Sequence, residues 1–217
     1  MDYKVFKYLS LFILSIIFFH SCTKDNITNP IETNTGINLI NGKIENWTYG
    51  DSITIIASTY ASIYSQGDSL YIFGISKVNK DGNFIISLNR PPNILNIEYA
   101  NGAYTFSDTG AKFTLLNLML FTPNGSLFSN IYNASDNYDQ LYHVGGYYIY
   151  FEYADRDVIL TGKDYLNNKL GSIIISHHIV FKKGWNRIST KIISIDNNVY
   201  NFVREVNDTL GGKWFLE

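Results

Sequence analysis

From residue 37 onward, apolar and polar residues alternate in short runs broken by turn residues, the period-two signature of half-buried strands. Residues 37–44, 52–58 and 70–76 open the series. Asp81-Gly82 then stands between apolar flanks and predicts a hairpin turn. After it Phe84, Ile86 and Leu88 alternate with Ile85, Ser87 and Asn89 until Pro91-Pro92 stops the run. Residues 112–121 are largely apolar, and 112–119 is the one stretch where a short helix fits. Residues 130–140 are polar and tyrosine-bearing and read as a loop. Residues 147–153, 158–162, 172–181, 185–195, 198–206 and 213–216 are strand-like, with 172–181 the strongest. No segment carries the apolar stripe of a helix of ordinary length. The pattern predicts an all-β, antiparallel β-sandwich. Two small modules, 37–100 and 108–217, are expected to join near 96–110, with one continuous sandwich or barrel as the alternative.

The start of the chain follows a different rule. Lys4 and Lys7 precede an apolar run at residues 8–19, followed by Ser21-Cys22 and then polar Thr23-Lys24-Asp25-Asn26. A run of roughly a dozen apolar residues suits a signal-peptide core and is too short for the ~20 residues of a membrane-spanning helix. Residues 1–21 are therefore expected to be a lipoprotein signal peptide and Cys22 the lipidated residue. An ordinary secretory signal cut nearby is the alternative. Cys22 is the single cysteine, so no internal disulfide can form and the fold must rest on its core. Residues 22–36 lack periodicity and read as a flexible tether.

Composition narrows the partners. The chain has 17 Lys+Arg against 19 Asp+Glu, a net charge of −2. Cleavage after residue 21 would remove Lys4, Lys7 and Asp2 and leave −3. No basic stripe is present, so nucleic acid is an unfavourable partner. Seventeen Tyr and 14 Phe with only 17% charged residues match an exported, β-rich protein.

Ile40-Asn41-Gly42-Lys43-Ile44, then Gly82-Asn83-Phe84-Ile85-Ile86-Ser87-Leu88 and Pro91-Pro92, resemble the prealbumin-like, carboxypeptidase-regulatory-type β-sandwich repeats of Bacteroidota-type surface proteins. The segment between Trp47 and Val78 is longer than those repeats usually have. The stretches 150–158 and 180–186 are similar to the closing half of bacterial surface lipoproteins. These resemblances imply a β-sandwich on a lipid-anchored envelope protein. Asp51-Ser52-Ile53, Asp68-Ser69-Leu70 and Asp208-Thr209-Leu210 match the acid-hydroxyl-aliphatic pattern of periplasmic O-glycosylation in that lineage, so Ser52, Ser69 and Thr209 are candidate acceptors.

Candidate chemistry is sparse. His177 and His178 are neighbours on a strand and must point to opposite faces, so they cannot share a metal ion without a bulge, even with His143 nearby in the sequence. Asp155-Arg156-Asp157 and the 136–139 segment lack the glycine and terminal glutamate of a calcium loop. Glu152 and Asp157 are a possible pair of glycosidase acids only if the fold brings them together. No Gly-x-Ser-x-Gly elbow or phosphate loop occurs. The strongest positive signal is aromatic: alternation puts Tyr147, Ile149, Phe151 and Tyr153 on one face and Tyr148, Tyr150 and Glu152 on the other. The first face is expected to be core and the second a solvent-facing strip for a protein or glycan.

The resulting expectation is a non-enzymatic binding or assembly accessory, lipid-anchored in the cell envelope at the outer membrane, with no cofactor, no metal and no catalytic residues. The rivals are a ligand carrier or hydrolase whose site assembles from distant residues, and a structural envelope protein. A cavity lined by carboxylates would favour the first rival.

Overall fold

The computed structural model describes residues 37–59, 71–91, 103–168 and 171–217. The leader, Cys22, the tether and Ser69 lie outside the described residues. Thirteen strands and a single 3-10 turn (Tyr138–Gln140) are found among the described residues, with no α-helix. Strands β1 (Leu39–Lys43) and β4 (Asn83–Ser87) pair antiparallel as a separate two-stranded layer. The remaining strands are β2 (Thr54–Thr59), β3 (Ile72–Lys77), β5 (Ala103–Phe106), β6 (Phe113–Phe121), β7 (Leu127–Ala134), β8 (Tyr147–Ala154), β9 (Val158–Asn168), β10 (Gly171–Phe181), β11 (Gly184–Asp196), β12 (Val199–Val206) and β13 (Lys213–Leu216). They form one sheet in the order β3-β2-β6-β7-β8-β11-β12-β10-β9-β5, with β13 on β7. The fold is all-β and sandwich-like, as the alternation predicts.

Several local expectations are corrected. The stretch 112–119 falls almost wholly in strand β6, not in a helix, with the alternating burial of a strand set between partners. Its first half pairs with β8 (Phe113 with Ala154) and its second with β7 (Leu118 with Ile131), so one long strand bridges a fork in the sheet. The expected loop at 130–140 contains most of β7, which is held between β6 and β13. Strand β5 emerges from the expected joint and pairs with β9. The Asp81-Gly82 turn is present, with Gly82 at φ 84° and Asn79 Oδ1 accepting from the Asp81 and Asn83 amides. Yet it closes no ladder of its own: β3 pairs with β2 and β4 with β1, so the turn carries the chain from one layer to the other. One pair, β10 with β12, is parallel.

The expected division into modules 37–100 and 108–217 is not observed. Asn34–Glu217 is one compact unit. Strand β2 lies against β6, and one apolar core runs from Ile40 and Phe84 through Leu118 and Phe151 to Trp185 and Trp214. Trp185 is its centre, packed on Phe73 at 5.1 Å and Tyr153 at 5.4 Å, with Nε1 donating to Asn89 O at 3.1 Å. Trp214 joins the layers: it touches Phe84 at 5.2 Å and stacks on Phe151. Gly42 permits this approach, because a Cβ there would come within 2.1 Å of the Trp214 ring.

A second core lies on the other face of the large sheet. Phe113 on β6 contacts Phe181 on β10 at 4.9 Å and Phe106 on β5 at 5.6 Å. Counted through β8, strands β6 and β10 stand four positions apart, which in a flat sheet is about 19 Å. The sheet therefore curls strongly and folds its second face around an interior of its own.

Candidate functional site

That interior holds the one concentration of buried charge among the described residues. The pairing registers fix its layout. Tyr148 on β8 is opposite Thr190 on β11, Thr190 opposite Arg204 on β12, and Arg204 beside His177 on β10. His177 is opposite Gly162 on β9, and Gly162 opposite Tyr104 on β5. A row of side chains that can hydrogen-bond thus crosses the sheet on one face, with Tyr150 and Glu152 beside it on β8 and Asp164 beside it on β9. At Gly162 (φ 143°) a Cβ would meet Ala103 O at 2.1 Å, so glycine allows β5 to close against β9. This sets the Tyr104 ring edge-on to His177 at 5.2 Å.

Over this row lies a cavity of about 990 Å³. Leu115, Tyr132, Leu141, Ile175, His177 and Arg204 are among the residues that line it. Tyr138 and Tyr142, on and beside the 3-10 turn, also line it, with rings edge-to-face at 5.6 Å. The lining is mainly apolar and aromatic, with its ionisable groups gathered along the row.

One ion pair and one histidine–carboxylate hydrogen bond organise those groups. Arg204 Nη2 donates to Glu152 Oε1, their side chains being 13% and 3% exposed, and the guanidinium sits 4.6 Å from the Tyr150 ring centroid. His177 Nε2 lies 3.2 Å from Asp164 Oδ2, and its side chain is 0% exposed. Burial lowers the His177 pKa, and Asp164 only partly opposes this, so the ring is neutral at pH 7. The carboxylate assigns the Nε2 proton, which leaves Nδ1 as the acceptor. Nδ1 is buried and has no protein partner. Burial likewise pushes the Tyr148 hydroxyl above its ordinary pKa, with Arg204 and a hydrogen bond to Thr190 pulling the other way.

The site corrects the sequence reading of β8. Tyr148, Tyr150 and Glu152 do share a face, but that face is inside: both tyrosines are half-buried, and Glu152 is 2% exposed. The curl converts an expected solvent-facing strip into a cavity wall. Arg204, Asp164 and Thr190 were not singled out from the sequence. Arg204 did leave a signal, a charge alternating with Phe202 and Val206 on one face of a strand.

Other candidates lie elsewhere. His178 is exposed on the face opposite His177, as strand geometry requires. His143 is exposed, 2.8 Å from Gln140 O and 3.9 Å from Asp136. Among the described residues no group of three or more His, Cys, Asp and Glu converges to hold a metal ion. Asp155 is engaged by Arg156 at 3.1 Å, and exposed Asp157 by Lys182 at 2.9 Å, while Glu152 points into the cavity. Glu152 and Asp157 therefore do not face each other as a catalytic pair. Ser52, before β2, and Thr209, between β12 and β13, are exposed.

No protein-family model matches the chain, and no curated protein or solved structure matches it either. Among the described residues no helix is long and apolar enough to cross a membrane.

Proposed function

We propose that this chain is a small-molecule binding protein of the cell envelope, tethered by lipid at Cys22, whose ligand occupies the curled-sheet cavity. The observation that carries the reading is the cavity itself. Its volume of about 990 Å³ stands at the upper end of the roughly 300–1,000 Å³ typical of ligand pockets. Like such pockets, it joins an apolar and aromatic wall to a few convergent polar groups, here from β8, β9, β10, β11 and β12. An amphiphile fits that division, with its apolar body against Leu115, Leu141 and Ile175 and its polar head on the row. Docking of a protein or glycan on a Tyr148–Tyr150–Glu152 strip is the weaker reading, since those groups face inward. The leader pattern and the single cysteine support the tether and an envelope location.

Titration with N-phenyl-1-naphthylamine, a neutral apolar fluorophore, tests the cavity. Saturable binding at one site per chain is expected, and Ile175→Trp, which narrows the cavity beside His177, should weaken it at least several-fold in a protein that keeps its circular-dichroism spectrum. Non-saturable binding, or binding indifferent to that substitution, defeats the reading. For the tether, Cys22→Ser should move the protein from the membrane fraction to the soluble one. Unchanged fractionation removes the lipid anchor.

A further inference from the structure

Resting on the cavity reading above, we infer that the bound amphiphile carries a non-anionic head group that donates a hydrogen bond to His177 Nδ1, and that carboxylate heads are selected against. Three independent features lead there.

The first is hydrogen-bond direction. Asp164 fixes the His177 Nε2 proton at 3.2 Å, so the other ring nitrogen is an acceptor. It belongs to a buried residue of the cavity lining and finds no donor among the described residues. Buried polar atoms are nearly always satisfied, so this one calls for a donor from whatever fills the cavity. A hydroxyl, an amide N–H or an ammonium supplies it. An ionised carboxylate, which only accepts, does not.

The second is charge. Among the described residues that line the cavity, Arg204 is the only Lys or Arg, whereas Glu152, Asp164 and Glu217 are carboxylates. With His177 neutral, the lining carries a surplus of negative charge. Such a surplus repels an anionic head and tolerates a cationic one.

The third is that Arg204 is already engaged. It pairs with Glu152 and lies over Tyr150. A ligand carboxylate could take Arg204 only by displacing Glu152, whose side chain is 3% exposed and would be left a buried, uncompensated anion. The pair thus acts as a filter against anions. It is not a receptor for them.

The experiment is competition against N-phenyl-1-naphthylamine at pH 7.5 with dodecan-1-ol, dodecylamine and dodecanoate, which share a chain and differ in the head. The alcohol and the amine should displace the dye at concentrations about tenfold or more below dodecanoate, the scale of one hydrogen bond. His177→Phe should erase most of the alcohol's advantage while barely moving dodecanoate. Asp164→Asn keeps a carbonyl acceptor for His177 Nε2 but removes a charge, and should narrow the dodecanoate gap. Even if His177→Phe fails to fold, the wild-type ranking and Asp164→Asn still decide. Should dodecanoate compete as well as the alcohol, or should the ranking survive both substitutions, the head-group assignment is overturned while dye binding leaves the cavity reading intact. Absence of saturable dye binding overturns both.

Discussion

Strand β8 has two faces, and both are turned inward. Ile149, Phe151 and Tyr153 enter a core sealed by the β1–β4 layer, with Trp185 and Trp214 filling it. Tyr148, Tyr150 and Glu152, one residue out of phase, enter a space closed by the curl of the sheet that bears them. A separate layer can settle onto a sheet until the gap is filled. A sheet curling on itself is limited by strand geometry, and a volume remains at its centre. The first face is filled mainly by apolar and aromatic side chains, several of which also reach the cavity, while the second keeps a buried ion pair and a histidine–carboxylate hydrogen bond beside that cavity. Buried charge is costly unless paired, and its retention beside an open volume is what separates a binding interior from a structural core.

Breaking the sealed face should have the largest effect. Trp185→Ala removes the ring that Phe73 and Tyr153 pack against and should cost about 3–5 kcal/mol in urea denaturation, with dye affinity unchanged in the molecules that stay folded. A loss under about 1 kcal/mol would show that the β1–β4 side is loosely filled, which removes the contrast.

Next comes the charged face. Arg204→Met strands Glu152 and should cost roughly 3 kcal/mol, whereas adding Glu152→Met should restore most of it. Measured as a double-mutant cycle, additive losses would mean that the two groups are not coupled. Gly42→Ala, which drives a methyl into the Trp214 ring, should lower stability by about 1–3 kcal/mol through strain between the layers. An unchanged melting temperature would show that β1 can move away from Trp214 without cost.

The smallest effect sharpens the comparison through pH. The His177 pKa is depressed in the folded state, so on acidification the unfolded chain takes up the proton first. Stability is then complete above the unfolded value of about 6.5 and falls as pH drops below it, by at most about 1.4 kcal/mol per unit from this group. Asp164 opposes the shift from β9, Arg204 is the register neighbour on β12, and the Tyr104 ring stands edge-on at 5.2 Å. His177→Phe should flatten the slope between pH 6.5 and 5 relative to wild type. An identical slope would place the pH dependence elsewhere.

Much of the strand map could be read from alternation, because burial on one face imposes period two wherever a sheet covers a core. That is why 147–153, 172–181 and 213–216 fall on β8, β10 and β13. Strand β7 could not be read this way: Tyr132 and Asn133 look like loop residues until β6 and β13 flank them and the cavity and core take up their side chains. Strand β6 could not either, since its leucines suit a helix until β2, β7 and β8 claim its backbone. The site was half visible. Tyr148, Tyr150 and Glu152 were grouped on one face by parity alone, but Arg204 reaches Glu152 across 52 residues and Asp164 reaches His177 across 13.

The sequence by itself determined the β class, the turn at Gly82 and the parity of every residue on β8, because these depend on neighbours along the chain. Only the tertiary structure decided that both faces of β8 are interior, that the chain before and after residue 100 shares one core, and that His177 and Arg204 stand side by side. Those outcomes depend on which strands pair and how far the sheet curls. Both follow from the sum of many weak, long-range contacts, which no local pattern encodes.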